Sequence, residues 1–297
     1  MAQMIMDAPA ALGFVLSQRT SLESEVLKKP YPEFKYSRMI PIDTSANPYA
    51  ASVTFFTRDS VGKAKFINAS GDDIPYANTT MSKFEQSIMT AGIGAQWSLE
   101  EIGAAAQLGI SLSTDELDAA RMAYERLVDD VAFTGDTTIG VEGLFNTTGI
   151  TSTAAGTAWA SATSAQIVQQ VVDDFTAVRT STLGIETADT LMLPIAQHAL
   201  IATKAYGVEG GLTILDYLQK ALTALMGKPI TVESDYRLSN KAVIYKRAPD
   251  ALKMHMPMPL QFIPPQMFNF KVKTLGMFRF SALNIRKPAS MRYRTGI

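Results

Sequence analysis

One long amphipathic segment constrains the fold more than any other feature of this chain. Residues 114–133, TDELDAARMAYERLVDDVAF, follow the Ser-x-x-Glu pattern of a capping box formed by Ser113 and Glu116. Apolar residues recur in it at helical spacing, and about twenty helical residues span roughly 30 Å. We predict one long helix over 114–133 with a buried stripe made of Leu117, Ala120, Tyr124, Leu127, Val128 and Val131.

The same segment carries opposite charges at the i,i+4 spacing that brings side chains together on a helix. Arg121 is expected to face Glu125, and Arg126 to face Asp130. The acidic residues of the helix, Asp129 and Asp130 among them, are interpreted as a solvated face rather than as paired catalysts.

The helix runs into a glycine-rich stretch, FTGDTTIGVEGLFN, residues 133–146. Gly135 and Gly140 have the spacing of a phosphate-binding loop, which would indicate a nucleotide-dependent enzyme. Such a loop needs Lys and Ser or Thr after the second glycine, and Val141 and Glu142 stand there instead. The loop should also follow a strand, whereas this one follows a helix.

We therefore favour a purely structural interpretation of these glycines. Gly135 is predicted to end the helix, next to Asp136 in a Gly-Asp turn. Gly140 and Gly143 are predicted to permit tight turns. A nucleotide-binding enzyme that uses the Gly135–Gly140 loop stays as the alternative from another functional class.

No other pattern in the chain indicates catalysis or metal binding. There is no cysteine, which excludes disulfides, thiol nucleophiles and zinc–thiolate sites. The two histidines, His198 and His255, share no metal-ligand spacing, and there is no Gly-x-Ser-x-Gly elbow. Asp72 and Asp73, with Asn68, lack the spacing of an EF-hand. We expect no catalytic residue, no cofactor and no metal.

Composition narrows the class of protein further. The 297 residues are 47% hydrophobic and 19% charged, enough to build a substantial core. The net charge of −1 argues against a protein whose main task is to grip nucleic acid. No apolar run is long enough to span a bilayer, and the N-terminus lacks the basic start of a secretory signal, so no membrane address is predicted.

Strand patterns near both ends bracket a helical and α/β middle. YSRMIPI is predicted as a strand, and ASVTFFTR and KAKFINA as a long projecting hairpin around Asp59, Ser60 and Gly62. After Asp250 the chain has only basic charges, and NFKVKTLGMFRFSALNIRKP alternates as long strands do. We interpret the aromatic residues Phe268, Phe270, Phe278 and Phe280 as core or interface residues. Their resemblance to the aromatic residues of proteins that bind single-stranded nucleic acid is weak.

The order of these parts resembles a tailed-phage major capsid protein of the Hong Kong 97 type. The resemblance is carried by WSLEEIGAAAQLG, the helix TDELDAARMAYERLVDDVAF and TGDTTIGVEGLFN, and it covers nearly the whole chain. It implies an α+β fold with an N-arm, an extended β-hairpin loop, a peripheral domain with a long spine helix, and an α/β axial domain. The implied ranges are 1–35 for the N-arm, 49–81 for the extended loop, 36–48, 82–149 and 251–297 for the peripheral domain with spine helix 114–133, and 150–250 for the axial domain.

The resemblance also implies the function and the partners. The chain would self-assemble as hexamers and pentamers into an icosahedral head around double-stranded DNA, held by weak, non-specific contact. It would reside in the virion after assembly in the cytoplasm of a bacterial host. The implied partners are further copies, a separate scaffold protein, a portal and a decoration protein. An encapsulin shell is the nearest alternative, and a ring-forming tail or portal component is another.

The residues expected to matter for assembly lie at the hairpin tip, on the helix and in the glycine-rich turn. Some members of the resembled family cross-link a loop lysine to an asparagine on a neighbour. Lys63 and Lys65 lie beside Gly62 near the predicted hairpin tip, but no local motif matches a cross-linking site. We therefore predict a shell held together without covalent links.

Overall fold

The computed structural model describes residues 31–66, 74–108, 112–207 and 211–297, without side chains between 104 and 115. The chain divides into two units, Met1–Glu33 and Phe34–Ile297. Only residues 31–33 of the first unit are described. The predicted N-arm lies almost entirely outside the described residues, and so do Asn68, Asp72 and Asp73.

The described chain contains six α-helices and fifteen strands. The helices are α1 (Tyr36–Met39), α2 (Leu99–Leu108), α3 (Leu112–Thr134), α4 (Ser164–Ser181), α5 (Ile195–Thr203) and α6 (Ile214–Met226). The first strands are β1 (Ile42–Asp43), β2 (Ser52–Val61), β3 (Asn78–Ser98), β4 (Gly135–Asp136), β5 (Val141–Glu142), β6 (Ser152–Ala154) and β7 (Thr190–Pro194). The later strands are β8 (Thr231–Asp235), β9 (Lys241–Tyr245), β10 (Leu252–His255), β11 (Met258–Phe262), β12 (Gln266–Phe268), β13 (Lys271–Ser281), β14 (Leu283–Ile285) and β15 (Met291–Thr295).

Strand β3 is the longest element of sheet in the described chain and has two different partners. Its first half pairs with β2, from Val61 opposite Asn78 to Ser52 opposite Ser87. Its second half pairs with β13, from Ser281 opposite Ile88 to Lys271 opposite Ser98. One strand therefore joins a projecting ribbon to a sheet in the body of the subunit.

The long helix α3 covers one face of that sheet and organises the first hydrophobic core. Alternate residues of β3 are buried towards it, ending at Ala95 and Trp97. Tyr124, Val128 and Val131 supply the helix side of this core, as their spacing predicted. Leu127 is the exception in the predicted stripe, since it is 38% exposed.

A second hydrophobic core lies in the α/β part of the chain. Its five-stranded sheet has the order β6-β15-β9-β7-β8, with helices α4, α5 and α6 supplying buried apolar side chains. Trp159 is fully buried in this core. Its indole nitrogen donates a hydrogen bond to Gln170 at 2.9 Å.

Two of the predicted secondary-structure assignments are wrong. The YSRM segment forms the short helix α1, not a strand. Asp59 and Ser60 are not in the hairpin turn, because they continue β2 opposite Thr80 and Thr79. The C-terminal strand β15, which lies in the range 251–297 predicted for the peripheral domain, pairs with β9 and β6 in the five-stranded sheet.

Candidate assembly surface

The ribbon formed by β2 and the first half of β3 is the most exposed regular structure in the described chain. Ten residues of β2 at about 3.3 Å each give the ribbon a reach of about 33 Å. From Thr57 outward both strands are exposed on both faces. An isolated two-stranded ribbon is marginally stable in water, so this surface is suited to contact with another molecule.

The predicted tip residues lie just beyond the outer end of the β2–β3 ladder. Gly62 directly follows β2, and a Cβ placed on it would stand 2.9 Å from the Cβ of Ala77. Glycine thus permits the close approach of the two chain segments there. Lys63 and Lys65 follow in an exposed segment.

Aromatic side chains fix the root of the ribbon to the body. The rings of Phe55 and Phe84 stack across the strands with centroids 5.4 Å apart. The Arg286 guanidinium lies 4.7 Å from the centre of the Phe55 ring, on the side of the body. A groove of about 510 Å³ runs between this root, residues 282–285 and the turn after α3.

The glycines after α3 form a close backbone crossing. Gly135 has a φ of 74°, in the left-handed region, and a Cβ on it would stand 2.2 Å from the Val141 carbonyl oxygen. A Cβ on Gly143 would stand 2.5 Å from the Gly135 nitrogen and 2.5 Å from the Phe133 carbonyl carbon. No side chain fits at either position without moving backbone.

The segment after this crossing caps the C-terminus of α3. The nitrogens of Leu144 and Phe145 donate to the carbonyl oxygens of Ala132 and Phe133 at 3.0 and 2.9 Å. Asn146 donates from its side-chain nitrogen to Thr134 and accepts from the Gly143 nitrogen, both at 2.7 Å. Carbonyl groups that a helix end leaves unpaired are thereby satisfied.

This geometry does not favour a nucleotide site at Gly135–Gly140. The segment is a tight hairpin of β4 and β5 in which Asp136 accepts a hydrogen bond from the Thr138 nitrogen at 2.7 Å. It lies at the C-terminal end of α3, the negative end of the helix dipole, which repels phosphate. Glu142 adds a carboxylate that accepts from the Thr148 nitrogen at 2.9 Å.

Asp129 is the point on α3 where two distant segments are held. Its carboxylate accepts hydrogen bonds from the backbone nitrogens of Lys35 and Tyr36 at 2.9 Å each. The other oxygen accepts from Arg237 at 2.5 Å. Asp129 is only 1% exposed, so the interpretation of this residue as part of a solvated face is wrong.

Arg237 is surrounded by carboxylates and aromatic rings. It donates to Asp130 at 2.8 Å and lies 3.4 Å from Asp235, while its guanidinium stands over the Phe133 ring. Burial alone would lower the pKa of Arg237, but the hydrogen bond and charge of Asp129 outweigh it and raise the pKa. Burial raises the pKa of Asp235 despite the nearby guanidinium.

The predicted ion pairs on α3 are present only in part. Arg126 lies 3.9 Å from Asp130, as expected. Within the described side chains Arg121 makes no ion pair with Glu125, whose carboxylate instead accepts from the Tyr36 hydroxyl at 2.6 Å. Glu116 is half-buried and lines a shallow groove against β3.

A buried histidine lies in the sheet formed by β1, β10 and β14. His255 is 2% exposed, and neither ring nitrogen has a hydrogen-bond partner. Its Nδ1 stands 3.5 Å from Asp43, whose carboxylate binds Lys253. Burial, followed by the charge of Lys253, holds the pKa of His255 below its usual value.

The predicted site residues fall into three places. The ribbon tip holds Gly62, Lys63 and Lys65. Helix α3 carries the charged residues from Glu116 to Asp130. The turn after α3 contains the residues from Gly135 to Gly143. Sequence reasoning missed Arg237 and Asn146. Asn146 carried a local signal, since it closes the Gly-Leu-x-Asn pattern. Arg237 lies more than one hundred residues from its carboxylate partners on α3 and carried none.

Two classes of feature are absent from the described part of the chain. Residues 31–66, 74–108, 112–207 and 211–297 hold no cluster of three or more His, Cys, Asp or Glu that could bind a metal. Among those same residues, no helix is long and apolar enough to cross a membrane.

Comparisons with known proteins place the chain among shell proteins. The family model described as Major capsid protein matches residues 62–297. No curated protein sequence matches the chain. Among solved structures, the capsid of Myoviridae phage XM1 is similar with a TM-score of 0.83 at 19% identity, covering 95% of this chain and 98% of that one.

Two further solved structures are similar to this chain. The capsid of an empty GTA particle has a TM-score of 0.65 at 12% identity, over 97% of this chain and 98% of that one. A virus-like particle from Pyrococcus furiosus has a TM-score of 0.53 at 12% identity, over 87% and 91%. The identities are low, so these likenesses concern the fold.

Proposed function

The chain belongs to the major capsid protein family and is a shell-forming subunit, and on that premise we propose that it assembles as hexamers and pentamers into an icosahedral phage head around double-stranded DNA. The observation that carries the proposal is the ribbon of β2 and β3, about 33 Å long, whose two faces are exposed. Such a ribbon is stabilised when it packs on a neighbouring copy.

The proposed division of the chain is supported by the two hydrophobic cores, although the five-stranded sheet also contributes Met192, Val243 and Tyr293 to the core around α3. We assign the ribbon and its tip, residues 49–81, as the extended loop. The core around α3 belongs to the peripheral domain, and the core around α4 and the five-stranded sheet belongs to the axial domain. The pairing of β15 with β9 supports moving the C-terminal strand into the proposed axial domain.

Residues 144–147, which follow the glycine-rich turn and cap the C-terminus of α3, connect these two parts. Tyr293 of β15 donates from its hydroxyl to the Leu144 carbonyl at 2.8 Å and accepts from the Thr147 nitrogen at 3.1 Å. Asp129 and Arg237 form a second link between α3 and the axial part. A subunit that makes contacts in a closed shell needs such fixed links, because the contact geometry sets whether a ring of copies closes.

The remaining partners in this proposal are a scaffold protein, a portal and a decoration protein. DNA is held with weak, non-specific contact, because the chain's net charge of −1 gives no overall attraction to phosphate. Assembly takes place in the bacterial cytoplasm, and the finished subunit resides in the virion head.

Electron microscopy of the purified protein tests the proposal. Replacement of residues 56–83 by Asn-Gly would join Phe55 to Phe84, which are opposite each other in the ribbon. We expect the full chain to give spherical shells and the shortened chain to give folded subunits that do not assemble. Normal shells from the shortened chain would contradict the role of the ribbon, and tubes from the full chain would contradict a closed head.

A further inference from the structure

Arg279 holds the chain at the root of the ribbon. It lies on β13 opposite Thr90 of β3. Its neighbours Phe278 and Phe280 are buried in the first hydrophobic core. Because successive side chains of a strand alternate between the two faces of a sheet, Arg279 lies on the face that points away from this core, where it is half-buried.

The guanidinium of Arg279 binds three oxygen atoms at once. Its Nε donates to the Thr90 hydroxyl at 2.9 Å. Its two terminal nitrogens donate to the carbonyl oxygens of Pro48 at 2.6 Å and Ala50 at 2.9 Å. These two residues come just before β2, and β3 lies between β13 and β2 in the sheet. The side chain therefore reaches across β3 and holds the segment that leads into the ribbon.

The planar shape of the guanidinium suits this arrangement. All three acceptors are neutral oxygens that lie in different directions. A guanidinium presents several donors at fixed angles, whereas a lysine ammonium is a single point of charge. Hydrogen bonds from a charged donor are also stronger than those between neutral groups. Arg279 thus sets both the distance and the direction of residues 48–50 relative to β13.

Apolar packing contributes little to the position of this segment. Neither hydrophobic core of the described chain includes a residue from 44–56, and residues 47–49 are exposed. One backbone hydrogen bond, from the Ile88 nitrogen to the Ala51 carbonyl at 2.9 Å, continues the pairing of β2 with β3 inward. The position of the ribbon root therefore depends on polar contacts, and those of Arg279 connect it to β13.

A small change of angle at the root displaces the far end of the ribbon by a large distance. A turn of about 10° moves the end of a ribbon about 33 Å long by about 6 Å. This displacement is about twice the length of a hydrogen bond. The geometry of contacts decides whether copies close into one kind of assembly, so the direction of the ribbon matters for assembly.

We propose that Arg279 is a positioning residue for assembly, which fixes the direction in which the ribbon leaves the subunit and thereby limits the range of shell diameters. The inference rests on the proposed function, since it names a residue that controls the geometry of the assembling subunit. The contact lies inside one subunit. It is also separate from the stack of Phe55 on Phe84, in which Arg279 takes no part.

Hydrogen exchange in the unassembled subunit is the first test. Arg279→Met keeps a long apolar side chain and removes all the donors. The amides of Ala50 and Ile88 should exchange about tenfold faster or more. The urea midpoint of global unfolding should stay close to the wild-type value, because Arg279 lies outside both hydrophobic cores. Unchanged exchange overturns the proposal, and so does a fall in the urea midpoint, which would show a general structural role.

Two further variants separate the geometry of the contact from its charge. Thr90→Val removes one acceptor and leaves both carbonyl oxygens in place, so exchange at Ala50 should stay near the wild-type rate. Arg279→Lys keeps the charge but not the planar set of donors, so it should recover at most part of the protection. Full recovery in Arg279→Lys would show that charge alone is sufficient and would overturn the positioning role.

Electron microscopy of assembled particles tests the effect on the shell. Arg279→Met should widen the spread of shell diameters by about twofold or more relative to the wild-type chain, and Thr90→Val should not. A wider spread or a loss of assembly, at an unchanged urea midpoint, supports the proposal, because a role in stability alone would alter neither. Shells of Arg279→Met with the wild-type spread overturn it.

The same images separate this inference from the proposed function. If the wild-type chain forms rings or tubes instead of spherical shells, the proposed head is wrong, while a wider spread of those forms in Arg279→Met still supports the positioning role. If both chains form equally uniform shells, the positioning role alone fails. A wild-type chain that stays monomeric at high concentration overturns both.

Discussion

Gly135 and Gly143 lie back to back at the end of α3, where a Cβ on Gly143 would stand 2.5 Å from the Gly135 nitrogen. This approach lets residues 144–146 return along the helix and pair with its last carbonyl groups. Glycine at these two positions is therefore required by contact, and at Gly135 by a left-handed φ as well.

Gly143→Val is expected to destabilise the unassembled subunit by about 3 kcal/mol or more, because backbone would have to move to admit the side chain. Gly135→Val should be at least as damaging. Gly140→Ala is the control, since φ is 73° there but a Cβ would meet nothing within 4 Å, and it should cost only about 1 kcal/mol. Urea denaturation measures all three, and a stable Gly143→Val subunit would contradict the close crossing.

Arg237→Met is expected to cost about 3–5 kcal/mol, because it leaves the buried carboxylates of Asp129 and Asp235 without their cation. Arg126→Ala is the matched control on the outer side of α3, where the 3.9 Å pair with Asp130 is largely solvated and is worth less than about 1 kcal/mol. Denaturant unfolding of both variants gives the comparison. Equal losses would mean that the Arg237 cluster is not a structural anchor.

The elements with strong local signals could be predicted from sequence. Helical spacing gave α3 to within two residues at its start and one at its end. The Ser-x-x-Glu pattern in WSLEEIGAAAQLG likewise marks the start of α2, where Glu101 accepts a hydrogen bond from the Ser98 nitrogen at 2.8 Å. These features depend on contacts three or four residues apart, which periodicity records directly.

Features decided by distant contacts could not be predicted. Asp59 and Ser60 are typical turn residues, but the pairing of β2 with β3 continues through them and extends the ribbon further. The burial of Asp129 depends on Arg237, and nothing in the spacing of α3 indicates that partner. The position of β15 likewise depends on pairing with β9, about fifty residues earlier in the chain.

The buried imidazole of His255 predicts a pH dependence of stability. Its folded-state pKa lies below the ordinary 6.5, from burial first and then from Lys253, with Arg286 acting in the same direction and Asp43 opposing. The unfolded chain therefore takes up a proton more readily, so stability is present above pH 6.5 and is lost as pH falls below it. Ser281, which binds the His255 backbone nitrogen, adds no charge.

His255→Gln isolates this contribution. The gap in unfolding free energy between the wild-type chain and the variant should shrink by up to about 1.4 kcal/mol per pH unit below 6.5, until the folded-state pKa is reached. His198→Gln, on helix α5, serves as the control for loss of a histidine. A gap that stays constant between pH 7.5 and 5.5 would show that His255 is not held neutral in the folded subunit.

The aromatic stack at the ribbon root predicts that loss of Phe55 loosens the ribbon locally and changes the free energy of global unfolding little. Phe55 lies between the Phe84 ring and the Arg286 guanidinium, so Phe55→Ala removes both contacts at once. Ring stacking and cation–π contacts are each worth about 0.5–1.5 kcal/mol at partly exposed sites. Because the hydrophobic cores do not include Phe55, the midpoint of global unfolding should change little.

The ribbon itself should become less protected in Phe55→Ala, since its root is the place where it is tied to the body. Amide hydrogen exchange in residues 57–61 and 78–82 should accelerate, while exchange in α3 stays the same. Phe56→Ala is the matched control, because Phe56 is on the opposite ribbon face and 62% exposed. Equal acceleration in the two variants would show that the ribbon is held by its ladder of hydrogen bonds alone and not by the stack at its root.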